Sequence, residues 1–136
     1  MNTLTITEIK SQQESKVSDV IKKCGVFFAF SNKQFEEGKT TLKEGEKYIS
    51  IGLGGFMPKG NIESWQTSMN EIDQWFKSQT QASEQSRYDH IAYELINHEA
   101  YYTGDIQTTL DALGLGYTAE DVWKVFNSEK ANHLDD

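Results

Sequence analysis

The stretch Tyr48-Ile49-Ser50-Ile51-Gly52-Leu53-Gly54-Gly55-Phe56-Met57-Pro58-Lys59-Gly60-Asn61-Ile62 changes its hydrophobic period partway along. Its first residues alternate in the manner of a half-buried strand. A glycine-rich turn follows. From Ile62 onward the apolar residues Ile62, Trp65, Met69, Ile72 and Phe76 recur at near-heptad spacing, which makes one stripe on a long helix. Asn61 is the expected cap of that helix. A chain that switches from strand to helix here is neither all-α nor all-β.

Upstream, Val26-Phe27-Phe28-Ala29-Phe30 is a short apolar run and reads as a second strand. The predicted strands, 26–30 and 47–52, are expected to pair as a small two-stranded antiparallel sheet. Before them, Ile9, Gln13, Val17, Val20, Ile21 and Cys24 mark a first helix capped by Thr5 or Thr7 and stopped at Gly25. Ser31-Asn32-Lys33-Gln34 fits a capping box for a short helix ending at Gly38. Residues 39–47 read as a polar loop.

Downstream, the long helix should end near Ser78–Ala82. A second long helix is predicted over Ser83–Ala100, with Tyr88, Ile91, Ala92, Leu95 and Ile96 as its apolar face. Thr103-Gly104-Asp105 is a turn, and a short helix over Asp105–Leu113 stops at Gly114. Thr118-Ala119-Glu120-Asp121 is a capping box for a last helix carrying Val122, Trp123, Val125 and Phe126, with a frayed tail after Ser128. The class is α+β, mostly α, with five or six helices in one compact domain over residues 1–136.

Charge is split unevenly. Residues 1–60 carry nine Lys and seven Asp/Glu, for a net charge of +2. Residues 61–136 carry fourteen Asp/Glu against Lys77, Arg87, Lys124 and Lys130, for a net charge of -10. A field of one sign argues against direct binding of nucleic acid and favours a basic partner. No apolar run approaches the ~20 residues of a membrane helix. The first residues lack the basic and apolar regions of a secretory leader. Cys24 is the only cysteine, so no internal disulfide is possible. The expected location is cytoplasmic, and no cofactor is expected.

Several motifs carry chemistry on paper. The segment Ile51–Gly55 sits where phosphate loops occur, but position 57 is Met and Lys59 precedes Gly60, so neither the dinucleotide nor the Walker spacing fits. A tight turn is the preferred reading. With Tyr93, Tyr101, Tyr102 and Tyr117 as a stacking platform, Gly52–Gly60 gives an alternative reading as a pocket for a nucleotide-like small molecule. His90, Glu94 and His98 lie within roughly 80° of each other on one helix. They span about 12 Å of rise, too far for both histidines to share an ion. A metal-dependent hydrolase using Glu94 and His98 is the third reading, and solvated Glu–His pairs are the plainer one. Cys24 lies on an apolar stripe and reads as a structural thiol.

The carboxylates Glu94, Glu99, Asp105, Asp111, Glu120 and Asp121 fall at helix ends or on polar faces and are the candidate partner-binding residues. Asp105, Glu120 and Asp121 also suit helix N-termini. Neither a catalytic nor a metal-ligating set is assigned.

Cys24-Gly25-Val26-Phe27-Phe28-Ala29-Phe30-Ser31-Asn32-Lys33-Gln34-Phe35, the segment Lys47–Gly55 and Tyr93-Glu94-Leu95-Ile96-Asn97-His98-Glu99-Ala100-Tyr101-Tyr102-Thr103-Gly104-Asp105-Ile106 together resemble a family of small proteins from phages and mobile elements of gut bacteria. The resemblance runs from about residue 9 to 127. It implies a phage-encoded anti-defence protein that works by binding, since similar proteins are associated with inhibition of type II CRISPR nucleases. It brings no catalytic residues with it.

Overall fold

A computed structural model describes residues 4–39 and 45–133. Part of the expected 39–47 loop, residues 40–44, lies outside them, as do residues 1–3 and 134–136. Among the described residues the chain forms seven α-helices and three β-strands, an α+β arrangement that is mostly α. The helices are α1 (Ile6–Cys24), α2 (Asn32–Gly38), α3 (Ile62–Thr80), α4 (Glu84–Asn97), α5 (Ala100–Thr103), α6 (Gln107–Leu113) and α7 (Ala119–His133). The strands are β1 (Phe27–Phe28), β2 (Tyr48–Gly52) and β3 (Gly55–Pro58). Contacts divide the chain into two compact units, Lys10–Phe76 and Met1–Ile9 with Lys77–Asp136. None of the described helices is long and apolar enough to cross a membrane.

The sheet belongs to the unit Lys10–Phe76. Its order is β1-β3-β2, and both pairings are antiparallel. The expected direct pairing of 26–30 with 47–52 is therefore corrected: β3 lies between them. Gly52 pairs with Gly55 across the two-residue loop Leu53-Gly54, whose φ angles are 53° and 80°. Two successive positive φ values make a mirror-image hairpin turn, whose twist matches that of the flanking strands. The glycines thus reverse the chain before α3 starts.

The first strand shrinks to Phe27–Phe28. The Ala29 N–H still donates to Gly54 O at 2.8 Å, and Ser31 then caps α2 by accepting from Gln34 N at 3.2 Å. Asn61 does not cap α3. Its side-chain amide donates to Cys24 O at 2.8 Å, satisfying a carbonyl at the end of α1 instead.

Met57, fully buried, sits among Val20, Cys24 and Ile72, with Trp65 and Met69 packed against this cluster. Cys24 is a free, buried thiol, as its place on the apolar stripe implied. Phe27, Phe35, Tyr48 and Phe56 form an aromatic group with ring centroids 5.0–5.9 Å apart. Gly38 is required beneath it, because a Cβ there would lie 2.2 Å from the Phe27 ring.

In the other unit, α4 packs against α5, α6 and α7. Its core contains Ile91, Leu95, Tyr101, Ile106, Val122 and Phe126. The helix starts follow local chemistry. Thr5 and Glu8 exchange backbone-to-side-chain bonds at 3.1 and 3.2 Å, Ser83 accepts from Ser86 N at 3.0 Å, and Thr118 and Asp121 form a reciprocal box at 3.0 and 3.2 Å.

Four expectations for this unit are corrected. The helix predicted over 83–100 breaks after Asn97, because Glu99 adopts a left-handed φ of 55°. The helix predicted to start at Asp105 starts at Gln107, with Asp105 accepting from Gln107 N at 2.8 Å. The last helix continues to His133 rather than fraying after Ser128. Ile96 and Trp123, assigned to apolar faces, are 54% and 39% exposed.

Candidate binding surface

The two units differ completely in charge. Lys10–Phe76 contains nine Lys and nine Asp/Glu and is neutral. Met1–Ile9 with Lys77–Asp136 contains four Lys/Arg and twelve Asp/Glu, so it carries the whole net charge of -8. Between residues 88 and 123 there are seven Asp/Glu and no Lys or Arg. The split at residue 60 read from the sequence therefore becomes a division between a neutral unit and an acidic one.

The six candidate carboxylates do not form one set. Glu94 is 3% exposed, so its assignment to a polar face is corrected. Its neighbour in the four-residue repeat, His90, is equally buried, and Ile91 and Leu95 lie beside them. The buried stripe of α4 thus includes two polar side chains that residue type alone assigned to solvent. Glu94 accepts from or pairs with His98 Nε2 at 3.2 Å. His90 Nδ1 shares a hydrogen bond with Tyr117 Oη at 2.8 Å. Buried polar groups are tolerated when bonded in this way.

Asp105 and Asp121 are tied to helix starts. Asp121 accepts from Thr118 N, and its carboxylate lies 3.4 Å from Arg87, which also donates to Gly116 O at 2.7 Å. The Thr118 backbone N–H, chiefly, with help from the Thr118 hydroxyl and Arg87, holds the Asp121 carboxyl below its usual range. Arg87 also lies over the Tyr117 ring, 4.5 Å from its centroid. The chain's one arginine is therefore committed to its own unit.

Glu99, Asp111 and Glu120 remain as exposed carboxylates without a capping bond. Asp111 accepts from Gln107 Nε2 at 2.8 Å, and Glu120 lies 3.7 Å from Lys124 in a fully solvated pair. Exposed pairs of this kind contribute little. Four large apolar side chains are exposed in the same unit: Ile96, Tyr102, Leu115 and Trp123. Of these, Ile96 and Trp123 were expected on apolar helix faces, and Leu115 carried no expectation.

The other motifs resolve as structure. The Gly52–Gly55 segment is a hairpin turn. Just before α3, the Gly60 N–H donates to Glu46 Oε1 at 3.1 Å and so is already used within the chain. The four tyrosines form no platform: Tyr101 and Tyr117 are buried, Tyr93 is half-buried and Tyr102 is 80% exposed. Among the described residues, no three His, Cys, Asp or Glu side chains are grouped to hold a metal ion.

Tyr101 is stacked between Phe126 and His133, with centroids at 5.1 and 4.4 Å. Its hydroxyl is buried and has no hydrogen-bond partner among the described residues, and burial pushes its pKa up to about 12. Tyr101→Phe removes a desolvated, unpaired hydroxyl and keeps the ring. It is expected to leave stability unchanged or raise it by up to ~1 kcal/mol, read as the urea midpoint. A loss of more than that amount would reveal a partner for the hydroxyl.

Comparisons with known proteins are sparse: no curated protein and no solved structure matches the chain. A family model does match, over residues 8–132, and the chain belongs to that family of unknown function, DUF7659.

Proposed function

We propose that the protein acts by binding, not catalysis, and that its acidic unit docks on a basic surface of a partner protein. The observation that supports this reading is the confinement of the entire net charge to one unit. Helix capping accounts for Asp105 and Asp121 but not for Glu99, Asp111 and Glu120. A field of this kind speeds encounter with a cationic partner and selects against anionic ones, so nucleic acid itself is not the ligand. No membrane association is proposed.

The resemblance described above gives the partner a specific class: a nucleic-acid-binding nuclease of a bacterial defence system, of which type II CRISPR nucleases are the example. In that setting the protein is a phage-encoded anti-defence inhibitor working in the host cytoplasm, where its acidic unit occupies a channel that otherwise holds DNA or RNA. The basic partner is the coarser part of this reading and the nuclease the finer.

A pull-down from a bacterial host lysate, done at low and at high salt, tests it. The expected result is a basic nucleic-acid-binding protein retained at low salt and released at high salt. A captured protein that is acidic, or one held equally at both salt levels, contradicts the charge-based reading.

A further inference from the structure

We propose that the hairpin tip of the unit Lys10–Phe76 is a contact face for a second copy of this chain, with Leu53 of each copy seated in an apolar cleft of the other. This inference does not rest on the charge of the acidic unit and concerns a different part of the chain.

The cleft has a volume of about 460 Å³ and is lined by Ala29, Phe30, Ser31, Asn32, Phe35 and Phe56. It forms where the chain passes from β1 to α2. Two of its rings are fixed from inside the unit: the Phe35 and Phe56 centroids lie 5.0 Å apart, and both rings pack on Phe27. The third ring, Phe30, is 76% exposed but held in place. Its N–H donates to Gln34 Oε1 at 2.7 Å, and the neighbouring Ala29 N–H donates to Gly54 O at 2.8 Å. The Phe30 ring lies on Gly54, where any Cβ would collide with it. Gly54 is the second residue of the hairpin loop and Leu53 the first, so the tip stands beside the cleft.

Leu53 is costly where it stands. Its φ of 53° is a left-handed conformation that crowds an L side chain, and Asn or Gly holds such a position more readily. Its side chain is 95% exposed, so little packing within the fold offsets that strain. A lone exposed leucine is ordinary, but an exposed leucine on a strained backbone is the kind of outlier that marks a functional contact.

The occupant follows from what the face offers. A projecting apolar side chain and a recess that accepts one lie side by side on it. Such a surface is complementary to itself, and a two-fold axis lets each copy's Leu53 enter the other's cleft. Among the described residues no charged side chain lines the cleft, and the unit that carries it is neutral, so two copies bring no like charges into the contact. Phe30 and Leu53 expose on the order of 300 Å² of apolar surface per copy, short of the ~800 Å² per partner of a stable interface, so the pair is weak.

Sedimentation velocity of the full chain from about 10 μM to about 1 mM, the range for a contact of this size, tests the pairing. The average mass is expected to rise from 15.5 kDa toward twice that value, and to rise no less at high salt, because the contact is uncharged. Leu53→Asn places a residue suited to the left-handed position. That variant should keep or raise the urea midpoint while its dissociation constant for pairing rises about tenfold or more. In a mixture of isotope-labelled and unlabelled copies, intermolecular NOEs should join the Leu53 methyls to the Phe35 and Phe56 rings. A chain that stays at 15.5 kDa throughout, pairing that is lost at high salt, or pairing that survives Leu53→Asn overturns the proposal. NOEs from Leu53 to a different face overturn the cleft as its seat. None of these outcomes bears on whether the acidic unit binds a basic partner.

Discussion

Replacing the three exposed, non-capping carboxylates in one variant, Glu99→Lys, Asp111→Lys and Glu120→Lys, is expected to reduce affinity for the captured partner by roughly a hundredfold or more. The change moves the acidic unit from a net charge of -8 to -2 and inverts the sign of its exposed contacts. The fold should survive. Glu99 has no partner among the described residues to lose, the Gln107–Asp111 bond is a solvated helix pair, and the Glu120–Lys124 pair is exposed at both ends. Losses of a few tenths of a kcal/mol per site are the scale for such pairs, with up to ~1 kcal/mol for a cation in the first turn of α7. Circular dichroism should match the native chain while the dissociation constant rises. Undiminished binding by a folded variant contradicts the charge-based account. Glu94 has to be left out of such a test. It is buried, and a lysine there would place an unpaired cation inside the unit at a cost of several kcal/mol.

The largest loss of stability is expected from Leu95→Ala. Leu95 is fully buried and lies in the same cluster as Ile91, Tyr101, Ile106 and Val122. Its replacement removes the transfer free energy of the missing methyl-bearing groups and leaves a cavity between rigidly placed neighbours. The cost should be about 2–5 kcal/mol, a large share of the ~5–15 kcal/mol that holds a typical protein folded. It should appear as a lower urea midpoint, and hydrogen exchange should accelerate among the amides of α4 and α7. Because this core holds the acidic unit together, the variant should also lose binding as that unit opens. A cost below ~1 kcal/mol would mean that Leu95 is less central than its burial indicates.

Legibility in the sequence followed the range of the interactions. Thr5, Ser31, Ser83 and Thr118 marked helix starts correctly, because each cap is made with a residue three positions away. Three other features depend on groups distant in sequence or on unusual backbone. The turn at Gly52–Gly55 was legible, but strand β3 after it was hidden. Leu53 occupies a left-handed hairpin position usually held by Asn, Asp or Gly, so the turn did not read as a two-residue hairpin. The break between α4 and α5 falls at Glu99, where neither glycine nor proline signals it. Asn61 looked like a cap for its own helix, yet its partner is Cys24 O, 37 residues away. Among the candidate site residues, the excess of acid was plain from the sequence, but its distribution was not. Glu94 went inside because α4 buries pairs of adjacent residues, 90–91 and 94–95, and Tyr117 and His98 provide bonds that no local pattern reveals.

The central claim is that one unit carries the binding face and the other does not. Amide chemical-shift mapping of the full chain, titrated with the basic protein it captures, tests this most directly. Perturbations should concentrate on the exposed residues of segment 84–124, strongest around Glu99, Asp111 and Glu120, and should fade as salt is raised. Shifts confined to residues 10–76, with the acidic unit unperturbed, would contradict the account.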